Sequence, residues 1–314
     1  MSATYQAILL IAFGGPTSPQ EIRPFLERVS QGKPIPRARL EDVVHHYEAV
    51  GGKSPLNEIS RRQAAALRDF LAQRGLELPV YIGLRNSKPF FIDTLEQMKK
   101  DRVRRALGFI LSPHRSEASW DRYQTNIAEA QADIGRDPPQ IDYCPQWHEH
   151  PLFIQTWVEA IEGELAKLSP NERRAVPLIF TAHSLPLPMA GRSPYVEQLQ
   201  TSARLIAEKV AHPNWSVAYQ SRSGGPADSW LEPGIGDTVR AQAARGSKQL
   251  IVAPIGFVCD HVEVLYDLDI EAKKIGEDHH LRLLRANCPN DHPTFIRMIA
   301  DVIESKIQKA EDRE

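Results

Sequence analysis

Short, nearly continuous apolar runs alternate along this chain with amphipathic stretches of helical length, and the alternation occurs twice over. Four runs bounded by turn residues predict strands at Ala7–Phe13, Pro79–Leu84, Ala106–Leu111 and Ile141–Tyr143. Four more follow at Leu178–Ala182, Ser216–Tyr219, Gln249–Pro254 and Leu281–Leu284, with helical stretches such as Arg61–Arg74 and Tyr195–Ala211 between them. Strands apolar on both faces and separated by helices imply parallel sheets, because parallel pairing needs crossover connections that bury it. The expected class is α/β, with two doubly wound domains, residues 1–148 and 149–314, joined in the segment Pro145–Pro151 and meeting at a cleft. The last helix is expected to pack back on the N-terminal half. In such sheets ligands bind beyond the carboxyl ends of the strands, so chemistry is to be sought in the residues just after them.

Composition narrows the classes. An apolar content of 42% over 314 residues is enough for two buried cores. The 38 Lys and Arg nearly balance the 40 Asp and Glu, so there is no overall positive field to gather nucleic acid or anionic lipid. No run of ~20 apolar residues is present to span a bilayer, and the apolar start at Ala7 lacks the basic flank of a signal peptide. A cytoplasmic protein is expected. The three cysteines, Cys144, Cys259 and Cys288, lie far apart, which predicts reduced thiols and neither disulfide nor zinc or iron–sulfur motif.

Three segments fall where the strand rule directs attention. Phe13-Gly14-Gly15-Pro16 follows the first strand; its glycines allow a tight turn and close approach to the backbone, a pattern that by itself is only a turn. Thr181-Ala182-His183-Ser184-Leu185-Pro186 takes the same place in the second half and puts His183 at a strand's carboxyl end, where an imidazole can accept a proton or bind a metal. Ser184 is not read as a nucleophile, since adjacent residues do not aim at each other and no Gly-x-Ser-x-Gly elbow is present. The segment from Pro254 to Glu271 is the richest. A strand ends, a glycine turn follows, and a helix is predicted to start with Asp260 as its N-cap.

In that helix Glu263, Asp267 and Glu271 recur every four residues, a row of carboxylates on one face. Such a row is ordinarily a solvated stripe. Here no Lys or Arg is interleaved among residues 255–272, and the row begins where a ligand is expected. It could lead a hydrated divalent cation to a final histidine–glutamate site, whose nitrogen and oxygen donors suit ferrous iron. His261, two residues from Glu263, falls on another helical face and is expected to support the site from behind. His148-Glu149-His150 reads as the interdomain loop and His279-His280 as a solvated turn. Tyr219 to Pro226 either lines the cleft or turns the chain.

Taken together these segments resemble the ferrochelatase family nearly end to end. Leu10 to Pro16 resembles its N-terminal motif. Tyr47-Glu48-Ala49-Val50-Gly51-Gly52-Lys53-Ser54-Pro55-Leu56 resembles its Tyr-x-x-(Ile/Phe)-Gly-Gly-x-Ser-Pro segment. Thr181 to Pro186 is similar to its histidine motif, and Gly256 to Glu271 to its signature helix, with Cys259 in place of the usual serine. The resemblance implies two similar Rossmann-like domains of the chelatase fold and an enzyme of haem biosynthesis, a lyase that inserts ferrous iron into a porphyrin. His183 matches the residue assigned to proton abstraction, metal ligation or both, Glu263 its partner carboxylate at the metal, and Asp267 and Glu271 the acidic path.

Residues 219–226 with Trp230-Leu231-Glu232-Pro233, and Gly32 to Arg37, look most like the bacterial branch that uses coproporphyrin III, with protoporphyrin IX the next expectation. Phe13 stands where some members of that branch carry an iron-ligating tyrosine, and Ser30, Gln31 and His46 where they are basic, so propionate recognition must differ. Phe13, Lys33, His46, Tyr47, Ser54 and Tyr123 are the implied porphyrin contacts. No tightly bound cofactor and no iron–sulfur cluster is expected, iron being a substrate. A monomer is expected, with room for a transient haem-accepting or iron-delivering protein. The rival readings are a cobalt or nickel chelatase of the same fold and a non-catalytic porphyrin carrier.

Overall fold

Eight apolar runs become eight parallel strands in a computed structural model, which describes residues 5–30, 37–223 and 228–312. They are β1 (Ala7–Ala12), β2 (Val80–Leu84), β3 (Arg105–Ile110), β4 (Gln140–Tyr143), β5 (Leu178–His183), β6 (Trp215–Gln220), β7 (Gln249–Ala253) and β8 (Arg282–Arg285). Two four-stranded sheets result, ordered β2-β1-β3-β4 and β6-β5-β7-β8, and every pairing is parallel. The α/β class and the twofold pattern of four strands read from the sequence are thus borne out. β1 is buried at all six positions and β5 at five of six, as expected for strands covered by helices on both faces.

The chain passes between two compact units more than once. One holds Met1–Ser112, Ala118–Trp147 and Asn290–Glu314, the other Pro113–Glu117 and His148–Pro289. In the first, the helix Pro293–Glu311 buries Phe295, Ile296, Ile299, Val302 and Ile303 at helical spacing and packs on the helix Leu56–Gln73 and on β3. Arg74–Glu304 and Arg62–Asp291 ion pairs flank that contact at 2.7 and 3.1 Å. Among the described residues no helix is long and apolar enough to cross a membrane.

In both sheets the next two strands in sequence lie on opposite sides of the first, β2 and β3 about β1 and β6 and β7 about β5. The switch points therefore lie between β1 and β3 and between β5 and β7, which singles out the exits of β1, β5 and β7 for ligand binding.

In the second unit His114 is fully buried, and its Nε2 lies 3.1 Å from Ser202 Oγ. Ser202 gives its one hydroxyl proton to His148 O, so His114 Nε2 must be the donor to Ser202. Burial, with His148 adding to it, pushes the His114 pKa down to about 3. Below the unfolded value of about 6.5 the unfolded chain therefore takes up a proton that the folded one refuses, and stability falls with pH by up to about 1.4 kcal/mol per unit. Denaturant titrations from pH 7 to 4 should show this acid loss, and His114→Asn should flatten it.

Candidate metal-insertion site

The second unit builds its centre from the exits of β5 and β7. β5 ends at His183, in register with Gln220 of β6, and Ser184 N donates to Gln220 O at 2.7 Å. β7 leaves through Pro254-Ile255-Gly256, where Gly256 N donates to Thr181 O at 3.0 Å. A Cβ at Gly256 would stand 2.5 Å from Ala182 Cβ and 2.7 Å from Ala182 Cα, so only glycine lets the segment after β7 cross β5 next to His183. Gly256→Ala is expected to cost about 1–3 kcal/mol through overpacking, read by denaturant unfolding, and to displace the residues that follow.

Those residues form a short helix, Val262–Leu265, capped by His261 and not by Asp260 as the sequence pattern predicted. His261 is extended, and its Nδ1 accepts from Glu263 N at 3.2 Å. Asp260 is drawn away by Arg285, whose Nη1 lies 3.2 Å from its carboxylate. His261 is thus placed at the cap behind Glu263, its ring against Phe257 at 4.6 Å, and burial pushes its pKa down and favours the neutral ring.

Glu263 Oε2 lies 3.7 Å from His183 Nε2, with both side chains about one-third exposed. His183 Nδ1 lies 2.5 Å from Ser184 O. A carbonyl can only accept, so Nδ1 carries a proton, and Nε2 is the ring nitrogen turned towards Glu263. Two donors 3.7 Å apart are too far for a hydrogen bond but fit a small cation held at roughly 2.0–2.2 Å from each, the range of nitrogen and oxygen ligands to divalent zinc. Among the described residues no group of three or more His, Cys, Asp or Glu is arranged to hold a metal. Two donors leave the other coordination positions of a cation open to water or an incoming ligand.

Several groups fix this pair that sequence reading did not find. Tyr195, fully buried at the start of the helix Tyr195–Lys209, donates from its hydroxyl to His183 O at 2.9 Å, and burial holds its pKa well above the usual range. Ser184 Oγ donates to Leu231 O at 2.9 Å, and Leu231 N to Leu185 O at the same distance, tying the histidine loop to the stretch around Trp230. Gln220 Nε2 donates to Glu263 O. Strand ends were a readable signal for Gln220; nothing in the pattern marked Tyr195.

The predicted continuous helix is broken. After Val262–Leu265 comes a π-helical turn, Asp267–Ala272, in which Glu271 N donates to Tyr266 O at 2.9 Å, and then the helix Lys273–Asp278. A π turn holds more residues than an α turn, so positions four apart stay closer to one line. Val264, Leu268 and Ala272 all bury, and Glu263, Asp267 and Glu271 form the neighbouring row. Along that row Glu271 is exposed, Asp267 is buried and takes a hydrogen bond from Ser221 Oγ, and Glu263 is half-buried beside His183.

The first unit holds the other candidates around the exit of β1. Phe13, Phe25 and Tyr47 stack edge to face at 6.2 and 6.1 Å, with the Arg85 guanidinium 5.9 Å above Phe13. Ser54 is buried and its N donates to Pro16 O at 2.8 Å. Tyr123 is buried against Phe91 at 6.3 Å, and burial, then the charge of Arg39, pulls the half-buried His46 down. Ser30 caps its helix by donating to Glu27 O. Lys33, Gln31 and residues 224–226 lie outside the described residues. His150 caps the helix Pro151–Leu165 by accepting from Leu152 N, a structural use of the His148-Glu149-His150 segment.

Comparison with known proteins bears on the family and the fold. The model of the ferrochelatase family matches residues 5–307. A coproporphyrin III ferrochelatase of Mycolicibacterium vanbaalenii is 40% identical over 302 residues, covering 95% of this chain and 89% of its own. A ferrochelatase of Rhodopirellula baltica is 37% identical over 310 residues, covering 98% and 88%. Among solved structures, the cobalt complex of the sirohydrochlorin chelatase SirB from Bacillus subtilis superposes with a TM-score of 0.57 over 98% of each chain, at 12% identity, a likeness of fold alone. With a family match over almost its whole length and relatives near 40% identity, this chain belongs to the ferrochelatase family.

Proposed function

We propose that this enzyme inserts ferrous iron into coproporphyrin III in preference to protoporphyrin IX, and that His183 and Glu263 act at the point of insertion. The observation that carries the reading is His183 Nε2 facing the Glu263 carboxylate at 3.7 Å beside a parallel-sheet switch point. Metallation replaces the two pyrrole N–H protons of the free base by one ferrous ion. It therefore needs a base for the leaving protons and a ligand weak enough to surrender the ion to four nitrogens. His183 Nε2 and Glu263 hold the arriving ion, and as the ion passes to the pyrrole nitrogens the freed Nε2 serves as the base, taking the two protons in turn and passing each on before the next. Glu271 and Asp267 lead from solvent towards Glu263, a path for the incoming cation or the outgoing protons. Phe13, Lys33, His46, Tyr47, Ser54 and Tyr123 are the candidate porphyrin contacts. Phe13 has no oxygen, so it cannot ligate the product iron.

The names of the relatives near 40% identity support coproporphyrin III, and they favour iron over the cobalt or nickel of a chelatase sharing only the fold. The presence of both His183 and Glu263 weighs against a non-catalytic carrier. No resident cofactor is required. We place the enzyme in the cytoplasm as a monomer, handing its product to a transient acceptor.

Anaerobic turnover of the two porphyrins at matched concentrations tests the reading. A higher kcat/KM with coproporphyrin III is expected; preference for protoporphyrin IX would overturn the substrate, and metallation of neither would overturn the reaction.

A further inference from the structure

The signature segment contains no cation of its own between residues 255 and 272, yet it is not left uncompensated. Arg285, the last residue of β8, reaches it from the next strand. Its side chain is only 13% exposed; Nε lies 2.6 Å from Asp269 Oδ1 and Nη1 lies 3.2 Å from Asp260 Oδ1. β8 is in register with β7 at Val252–Arg285, and Ala286 N donates to Val252 O at 2.9 Å, so the root of this side chain is fixed by the sheet.

The two carboxylates it holds bracket the working residues. Asp260 adjoins His261, whose ring accepts from Glu263 N. Asp269 sits in the π turn between Asp267 and Glu271. One planar guanidinium thus sets the distance between the two ends of the stretch that carries Glu263 and Asp267. Within that stretch the winding changes, from the four-residue helix Val262–Leu265 to the π turn Asp267–Ala272, and the clamp spans the change. Asp260 and Asp269 lie off the Glu263–Asp267–Glu271 row, so the clamp neutralises carboxylates the row does not use. A partly buried ion triad is weak grounds for a purely stabilising role, since solvent screens its more exposed members and desolvation of the rest offsets the attraction. The fork of Arg, with donors in fixed directions, suits the setting of a geometry.

We infer that Arg285 is a positioning residue for iron capture: by clamping Asp260 to Asp269 it sets Glu263 and the acidic row at the spacing that receives the ferrous ion, without touching porphyrin or metal. This rests on the function proposed above. The test uses the full-length enzyme with ferrous iron and coproporphyrin III. It compares Arg285→Met, Arg285→Lys and the triple variant Arg285→Met, Asp260→Asn, Asp269→Asn by iron KM, kcat, porphyrin affinity and Tm.

Arg285→Met should raise the iron KM by about tenfold, the scale of losing a partner that orients a metal ligand. Porphyrin affinity should stay within about twofold of the parent. Arg285→Lys keeps the charge but not the fork, and should recover Tm while leaving iron KM raised. The triple variant removes the unpaired charges, so its Tm should return towards the parent value while its iron KM stays high. It also decides the matter if Arg285→Met does not fold. A triple variant with the parent's iron KM, or a rise in iron KM matched by a loss of porphyrin affinity in step with a falling Tm, would overturn the inference. A parent enzyme that metallates no porphyrin would instead overturn the proposed function.

Discussion

His183→Ala is expected to lower the rate of ferrous insertion by between ~10² and ~10⁴-fold, the range for loss of a positioned general base, while porphyrin binding stays at the parent level. The expectation follows from the tautomer. Nδ1 is committed to Ser184 O, so Nε2 is the basic atom, and it faces Glu263 across 3.7 Å. The strand end should survive the change, because the bonds that hold it run through the His183 and Ser184 backbones, to Tyr195 Oη and to Gln220 O. With about a third of the side chain exposed, the space left by truncation is open to solvent, so Tm should fall by less than for truncation of a fully buried side chain. Anaerobic initial rates followed by absorbance, with porphyrin affinity measured by fluorescence quenching, separate the two effects. Metallation by His183→Ala at the parent rate would remove His183 from the mechanism.

The second large effect is expected at Glu263→Gln. The amide keeps the shape and removes the charge, and the backbone frame is untouched, since Glu263 N and O are held by His261 Nδ1 and Gln220 Nε2. What is lost is a negative oxygen opposite the imidazole. Insertion should fall by about 10²-fold, with iron KM rising and porphyrin affinity unchanged. Steady-state kinetics with varied iron at saturating porphyrin checks this; a variant that saturates with iron as the parent does would assign the carboxylate no part in holding the ion.

Most of the fold was legible because it rests on a strong, repeated signal: strands such as β1 (Ala7–Ala12) and β5 (Leu178–His183) are buried on both faces, which parallel sheets require. The positions of His183 and Glu263 were legible for a related reason, since both follow strands that flank a switch point. The break in the signature helix was not. A run of carboxylates every four residues predicts an α-helix, and the π turn comes from burying Val264, Leu268 and Ala272 in one line, a tertiary demand that local spacing does not reveal. The N-cap was misplaced for the same kind of reason. Asp260 is a good cap by residue type, but Arg285, 25 residues away, takes its carboxylate and leaves the role to His261. Arg285 and Tyr195 escaped notice because their partners are distant in sequence or are backbone carbonyls. Arg285 does end a strand, and the rule applied to β8 as well as to β5 and β7 would have reached it.

The central claim is that ferrous iron enters a porphyrin at the His183–Glu263 pair, with protons leaving as it does. Anaerobic mixing of enzyme, ferrous iron and coproporphyrin III in weakly buffered solution, with absorbance and proton release recorded together, tests it most directly. The account predicts loss of the free-base bands with two protons released per iron inserted, at a rate that collapses in His183→Ala. Unchanged free-base bands in the parent enzyme, or metallation at equal rates in the parent and His183→Ala, would contradict it.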